Sequence, residues 1–169
     1  MTLIKSISYR NSFLENEAAK AWDYFQKTGF PDKKQENWRF SNLKPWLLQN
    51  AIRSKKEFEF LEEKFAQYTF PNTYSVFIIN DQIHIPEKFP ESVKISTFQK
   101  AVGQNPFKDT FGKLVDFNTQ TLAAENTALF SDGLYIQIPD NNIIELPLHL
   151  IHIIINENNS SQFPRFLIY

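Results

Sequence analysis

The sequence contains no cysteine among its 169 residues. This absence excludes thiolate metal ligation, a cysteine nucleophile and disulfide bonds within the chain. It is also compatible with a reducing compartment, where disulfides are rare. Zinc-ligand spacing, a glycine-rich phosphate loop and a serine-nucleophile motif are missing as well. We therefore assign no catalytic, cofactor-binding or metal-binding residue from the sequence.

Long apolar runs are also missing. The most apolar stretch, IIELPLHLIHIII at 143–155, contains a glutamate, a proline and two histidines. It is shorter than the roughly 20 residues that span a bilayer. The first residues, MTLIKSISYRNSFLEN, show no continuous apolar segment of the kind found in signal peptides, so we expect a cytoplasmic protein. The net charge of −1 argues against nucleic acid or membrane as a partner.

Glycine is scarce, with four residues, whereas phenylalanine is abundant, with 17. Because each phenylalanine buries a large apolar area, clusters of this residue indicate packing more often than function. The apolar fraction of 42% and the charged fraction of 22% are ordinary for a globular protein. The length allows one domain with a sizeable core, or one domain and part of another.

The spacing of apolar residues predicts a first helix near the start of the chain. Ser12 and Glu15 fit a capping box, in which the two side chains accept free backbone N–H groups of the first turn. Gly29 stands where a C-terminal cap belongs. The apolar face of this helix consists of Leu14, Ala18, Trp22 and Phe25.

Further helices are predicted before residue 130. Ser54 and Glu57 form a second capping box. Asn105 and Pro106 suit the cap and the first position of another helix, and a last one is predicted over 119–129. The apolar stripe of the first of these consists of Phe58, Leu61, Phe65 and Tyr68. That of the second consists of Phe107, Phe111 and Leu114.

From residue 74 onward, the spacing of apolar residues becomes typical of β-strands. YSVFIINDQIHIP at 74–86 predicts a hairpin around Asn80–Asp81, and KISTFQKAV at 94–102 predicts a strand followed by a short helix. From residue 131 onward, runs rich in Ile and Leu alternate with polar turns. We therefore predict an α+β fold with a mainly helical domain and a small hairpin at 1–130, followed by a β segment at 131–169. Because this segment closes on FPRFLIY, an apolar strand with an uncovered edge, we expect a fragment of a longer β structure.

Histidines and carboxylates offer few candidate ligands. His149 and His152 lie three positions apart on a predicted strand, so their side chains point to opposite faces and cannot hold one ion together. His84 is isolated on a hairpin strand. Glu62–Glu63 falls on the solvated side of a predicted helix and Asp140 in a turn, which favours surface roles over acid–base catalysis.

The stretch PDKKQENWRFSNLKPW at 31–46 places large aromatic side chains among charged and amide residues. An irregular segment followed by one or two helical turns at 45–49 is predicted there. The favoured interpretation is that four apolar residues anchor this connector onto the core: Trp38, Phe40, Leu43 and Trp46. The alternative makes Trp38 and Arg39 a stacking and ion-pairing platform for a partner.

The same stretch resembles the amino-terminal signature of the SufD proteins in the SufB/SufD family of the SUF iron–sulfur cluster assembly system. That signature has a proline, a short basic stretch, then Glu-x-Trp-Lys/Arg-Tyr/Phe-Ser/Thr and a later leucine. The matching positions are Glu36, Trp38, Arg39, Phe40, Ser41 and Leu43. The candidate interaction or packing anchors are Glu36, Trp38, Arg39, Phe40 and Trp46.

A second match lies in ENTALFSDGLYIQIP and IELPLHLIH, at 125–139 and 144–152. The family enters its β-helix with small residues, Asp-Gly, an apolar strand, then Glu-x-Pro and another strand. The matching positions are Asn126, Ala128, Asp132, Gly133, Pro139, Glu145 and Pro147. Glu125 departs from the pattern, which has leucine there. SufB is similar in its β-helix but matches the front half less well.

The resemblance implies a scaffold, not an enzyme. The family's proteins have a helical amino-terminal domain, a right-handed parallel β-helix and a carboxy-terminal helical domain, so 131–169 would be the first strands of the β-helix. A SufD-like protein would pair with a SufB-like paralogue through the β-helices and with a SufC-like ATPase through helices outside this sequence. The full complex handles an iron–sulfur cluster, and no cofactor is expected in this part.

Other classes of function stay open at this point. The chain could be a self-contained α+β ligand-binding or enzymatic domain with a pocket between helices and hairpin, or a free-standing adaptor. Stacked coils need several repeats to bury their faces. We therefore expect residues 143–169 to pair with a neighbouring chain or to be partly disordered.

Overall fold

The computed structural model describes residues 11–43, 60–155 and 161–169. Its α-helices are α1 (Ser12–Thr28), α2 (Glu62–Phe65), α3 (Phe98–Ala101), α4 (Asn105–Thr110) and α5 (Thr121–Leu129). Single turns of 3-10 helix lie at Glu36–Trp38 and Ala66–Tyr68. The strands are β1 (Tyr74–Ile79), β2 (Gln82–His84), β3 (Lys94–Thr97), β4 (Leu134–Gln137), β5 (Leu148–Ile153) and β6 (Phe166–Ile168). The features predicted at 45–49 and 54–58, and the candidate anchor Trp46, lie outside the described residues.

Helix α1 begins one residue before the position that the sequence predicted. Its N-cap is Asn11, whose side-chain oxygen accepts the Phe13 N–H at 2.8 Å. Ser12 already lies in the first turn, so the predicted capping box is wrong. The C-terminal cap is confirmed: Gly29 adopts φ 66° and donates its N–H to the Phe25 carbonyl at 2.7 Å. The buried face consists of Leu14, Ala18 and Ala21.

The strands form two sheets of three strands each, in the orders β2-β1-β5 and β3-β4-β6. The predicted hairpin is confirmed: β1 and β2 are antiparallel, and Asn80 adopts φ 52° in the turn. Strand β3 is antiparallel to β4. In contrast, β1 is parallel to β5 and β4 is parallel to β6. Both sheets therefore join strands from before and after residue 130, across the boundary that the sequence suggested between two domains.

The two sheets pack face to face around one apolar core, which includes Val76, Ile78, Val93, Leu134 and Ile136. The other face of β3-β4-β6 is covered by helices, in a second core that includes Leu14, Phe98, Phe107, Phe111, Phe130 and Tyr135. A third cluster joins α1 to α5 through Ala21, Ala124 and Ala128. Small side chains at these three positions let the two helices approach closely. The predicted mixed α+β class is confirmed.

Aromatic rings cover the outer face of β2-β1-β5. Phe60 and Phe65 stack on each other at 5.7 Å between ring centroids, and both pack against Phe77 of β1. Phe60 also stacks on His84 at 4.2 Å. The segment from Phe60 to Phe65, which includes α2, therefore lies against the sheet through its aromatic rings.

Two predicted helices are shorter than expected over the residues that the structure describes. Around α2, Leu61 is 40% exposed and Tyr68 is 51% exposed. Of the described residues of the predicted stripe, Phe65 packs against the outer face of the sheet, on Phe77. Helix α4 begins at Asn105, one residue before the predicted first position, Pro106, because Gln104 is the N-cap. It ends at Thr110, where Phe111 turns to an extended conformation. Leu114 therefore leaves the predicted stripe and is 72% exposed. The predicted helix over 119–129 is confirmed as α5.

The last strands pair within the chain. Strand β5 pairs with β1 over six residues, and β6 pairs with β4 over three. In the part of the chain that the structure describes, β5 and β6 are edge strands of their sheets. Each therefore has one side on which its backbone groups meet no strand of the described residues.

Candidate functional site

The segment that carries the first family signature is a series of tight turns. Asp32 accepts the Lys34 N–H on its side chain at 2.8 Å and the Gln35 N–H on its carbonyl at 3.1 Å. The 3-10 turn at Glu36–Trp38 follows directly, and the Trp38 carbonyl accepts the Ser41 N–H at 3.0 Å. These local hydrogen bonds hold the backbone without a regular helix.

The position of Phe40 does not fit the interpretation that this residue anchors the connector onto the core. Its side chain is 93% exposed, and it belongs to none of the core clusters that the described residues form. The guanidinium carbon of Arg39 lies 5.5 Å from the centroid of the Phe40 ring, which is within the range of a cation–π contact. Trp38 is half-buried. The structure thus brings Arg39 and Phe40 together on the surface, beside a more buried tryptophan.

The surroundings of this pair are charged. Lys33 and Lys34 are exposed in the preceding turn, and so are Asp32 and Glu36. The Asp32 side chain accepts a backbone N–H, so its role is to stabilise the turn. We call Trp38, Arg39 and Phe40 the aromatic platform. It is an exposed ring with a cation next to it, which suits a contact with another protein better than catalysis.

The second signature has a structural explanation. The Asp132 side chain accepts the N–H groups of Gln99 at 3.2 Å and of Gly133 at 2.8 Å, so it satisfies the start of α3 from a distant part of the chain. Burial raises the pKa of Asp132 above its ordinary value, and these hydrogen bonds act in the opposite direction. Gly133 leaves room for the ring of Phe98.

Glu125, which departs from the family pattern, is half-buried on α5. Burial raises the pKa of its carboxyl group. Its neighbour Asn126 donates to the Pro164 carbonyl at 3.1 Å, which joins α5 to the segment before β6. This signature therefore supports the packing of helices on the β3-β4-β6 sheet.

The histidines do not form a site together. His149 stacks on Phe70 at 4.7 Å between ring centroids, on the outer face of β5. His152 lies on the opposite face, as the alternation of the strand predicted. Burial lowers the pKa of His84. Among residues 11–43, 60–155 and 161–169, no group of three or more His, Asp or Glu side chains could hold a metal ion.

Sequence reasoning missed Arg165. Its guanidinium carbon lies 4.5 Å from the centroid of Phe111 and 5.7 Å from that of Phe130, and a guanidinium N–H donates to the Thr127 hydroxyl. No local signal could have indicated this, because Thr127 is 38 residues away in the sequence. Arg165 lines a cleft of about 340 Å³ beside β6.

Within the described residues, no helix combines the length and the apolar character that crossing a membrane requires. A comparison with curated proteins gives no match to this chain. The sequence model of the family described as the SufBD protein N-terminal region matches residues 3–150, which is most of the chain. That match covers the aromatic platform and the Asp132–Gly133 pair but does not distinguish SufD from SufB. The chain belongs to the SufB/SufD family, whose proteins take part in SUF iron–sulfur cluster assembly.

Proposed function

We propose that this chain is the amino-terminal part of a SufD-like scaffold subunit of the SUF assembly complex. The observation that carries the proposal is the family match over residues 3–150. The assignment to SufD over SufB rests on the resemblance of residues 36–43 to the SufD signature. The iron–sulfur cluster is then cargo of the full complex, and no residue of this chain is proposed as its ligand or as a catalyst.

The arrangement of strands supports the beginning of a parallel β-helix. Two parallel pairs, β1 with β5 and β4 with β6, alternate between the two facing sheets along the chain. A coil that passes from one sheet to the other and returns one strand further along produces this pattern. The proposed partners are a SufB-like paralogue, bound through β-helices, and a SufC-like ATPase, bound through regions outside this sequence.

The aromatic platform is proposed as a contact with a protein of the assembly. What supports it is the exposure of Phe40, 93%, beside the Arg39 guanidinium at 5.5 Å. Aromatic and arginine side chains dominate the binding energy of many interfaces. A partner that buries the ring would also remove the cation–π pair from water. The contact stabilises more when it is desolvated than when it is exposed.

The experiment is co-expression of the intact protein with its SufB-like and SufC-like partners, followed by affinity capture and measurement of Kd. Phe40→Ala is compared with Ile143→Ala, because Ile143 is a second large apolar side chain that is 87% exposed. We expect Phe40→Ala to weaken assembly by about tenfold or more, as interface anchors do, and Ile143→Ala to leave it unchanged. Assembly at full strength with Phe40→Ala would contradict the role of the platform, and the absence of any complex with the wild-type protein would contradict the scaffold.

A further inference from the structure

The antiparallel strands β2 and β3 cover the edges at which the two facing sheets begin. In one sheet β1 lies between β2 and β5, and in the other β4 lies between β3 and β6. The parallel partners β5 and β6 come later in the chain, so β2 and β3 lie on the opposite side of β1 and β4. Residues 85–93 join β2 to β3. We call residues 82–97 the strap.

The strap is held by strand pairing at its two ends and by apolar contacts between them. Strand β2 pairs with three residues of β1, and β3 pairs with four residues of β4. In the joining segment, Val93 is buried and Phe89 is half-buried against the core between the sheets. The rings of Phe89 and Tyr74 lie 5.6 Å apart, and the Val93 N–H donates to the Pro90 carbonyl at 2.9 Å. The strap therefore crosses from one sheet to the other and closes the end of their common core.

The strand beside the strap has the composition of a self-associating segment. Strand β1 reads YSVFII and contains no charged residue, proline or glycine. Segments of six or seven residues with high β-propensity, low net charge and no proline pair readily with copies of themselves when an edge is exposed. Strand β5 already occupies one edge of β1 over its full length. The other edge, on which β2 lies, is the one that a second copy could use.

The strap itself carries features that oppose the addition of a strand. Its two strands are only three and four residues long. The joining segment contains Pro86 and Pro90, and its side chains at Glu87, Lys88 and Glu91 are exposed. Native proteins protect sheet edges with short strands, prolines and charged side chains. The strap thus replaces an edge that favours self-association with one that disfavours it.

We propose that the strap is an intramolecular block against self-association, and that its opening lets β1 pair with β1 of a second copy of this chain. Three residue pairs hold β2 on β1, whereas six join β1 to β5, so β2 is the neighbour that is displaced more easily. The other end is held more firmly, because β3 continues into α3, where Phe98 is fully buried. Opening therefore begins at β2. This role goes beyond the scaffold function and does not depend on it.

The test is sedimentation velocity of the intact protein over a range of concentrations. Phe89→Ala removes the ring that packs against Tyr74 and so favours the open strap. Because only open molecules associate, the apparent Kd falls as their fraction rises, and we expect it to fall by about tenfold or more relative to the wild type. Val93→Ala makes a smaller cavity and should act in the same direction with a smaller effect. This variant keeps the test valid if circular dichroism shows that Phe89→Ala is unfolded.

Phe117→Ala is the matched control. It removes the same side chain from a cluster that contains no residue of the strap. Phe117 is 5% exposed, so its loss should destabilise the fold at least as much as the loss of the half-buried Phe89. At a temperature at which the variants are folded, we expect Phe117→Ala to stay as monomeric as the wild type.

Hydrogen–deuterium exchange locates the contact. At low concentration, the amides of β1 in Phe89→Ala should exchange faster than those of the wild type, because the open strap no longer protects them. As the concentration rises, the same amides should regain protection from the second copy. In Phe117→Ala, exchange at β1 should not depend on concentration.

Three results would overturn the proposal. One is that Phe89→Ala and Val93→Ala are folded and monomeric at every concentration. Another is that the wild type or Phe117→Ala associates as strongly as Phe89→Ala, because general instability would then be the cause. The third is concentration-dependent protection in a region other than β1. None of these results bears on the scaffold proposal, which depends on the SUF partners and on Phe40.

Discussion

Replacing Gly133 with alanine should destabilise the fold by a steric mechanism. A Cβ at this position would lie 2.4 Å from Cε2 of Phe98 and 2.6 Å from its Cδ2 and Cζ atoms, whereas carbon atoms pack at about 3.5–4.0 Å. Relief therefore requires a shift of about 1 Å. The ring has no space to move, because Phe98 is fully buried and its ring lies 5.1, 5.7 and 6.0 Å from those of Phe107, Phe111 and Phe130.

The backbone is held as well, since the Phe98 N–H donates to the Gly133 carbonyl at 2.8 Å. Overpacking of a filled core costs about 1–3 kcal/mol, and we expect Gly133→Ala at the upper end, about 3 kcal/mol. For a domain of this size that loss lowers Tm by about 6–12 °C. The measurements are urea unfolding followed by tryptophan fluorescence and thermal unfolding followed by circular dichroism.

Gly103→Ala is the matched control. A Cβ at Gly103 would meet no atom of the described residues within 4 Å, so the free energy of unfolding should change by less than about 1 kcal/mol. Phe98→Leu combined with Gly133→Ala tests the cause: a smaller side chain should relieve the clash, so the two effects should be less than additive. If Gly133→Ala unfolds at the same urea concentration as the wild type, or if the double variant is simply additive, the steric explanation is refuted.

Two further predictions concern ionisable groups near the sheets. Asp132→Ala removes the acceptor of the Gln99 N–H and should lower the free energy of unfolding by about 1–3 kcal/mol. Asp132→Asn keeps an acceptor oxygen and should lower it by less. Urea unfolding measures both variants. Because burial lowers the pKa of His84, the unfolded chain binds more protons than the folded chain, and stability should fall as the pH drops through 6.5 and below. His84→Phe keeps a ring against Phe60 and should reduce this loss between about pH 7.5 and 5.5, whereas an unchanged pH profile of Tm would contradict the role of His84.

Local signals in the sequence predicted elements wherever one residue type decides the backbone. Gly29 ends α1 and Asn80 turns the hairpin, both with positive φ, and these positions could be identified because few residues adopt that conformation. The exact start of α1 was missed by one residue, since Asn11 and Ser12 are both good caps. Leu114 was wrongly predicted to lie on the apolar stripe of α4. The helical spacing of apolar residues continues past Thr110, although the helix itself ends there.

Partners in the sheets could not be predicted from the same signals. Apolar alternation identifies β1 and β5 as strands, but it gives no reason for Tyr74 to pair with Leu148. The cleft beside β6 was missed for the same reason, since its walls come from α4, α5 and β6 and meet only after the sheet has formed. Sequence spacing thus predicted single elements and turns, whereas contacts over long separations required the structure.

The two family signatures differ in what they contribute to this part of the chain. Asp132 and Gly133 join α3 to β4 through hydrogen bonds and through space for a buried ring, so folding alone accounts for both residues. Phe40 contributes almost no burial here, since its side chain is 93% exposed. A residue that matches a family pattern without supporting the local fold is expected to act through a contact made elsewhere. Phe40→Ala should therefore leave Tm unchanged while it weakens assembly, whereas Gly133→Ala should lower Tm. If Phe40→Ala lowered Tm by as much, the platform would be part of the core and its proposed role at an interface would fail.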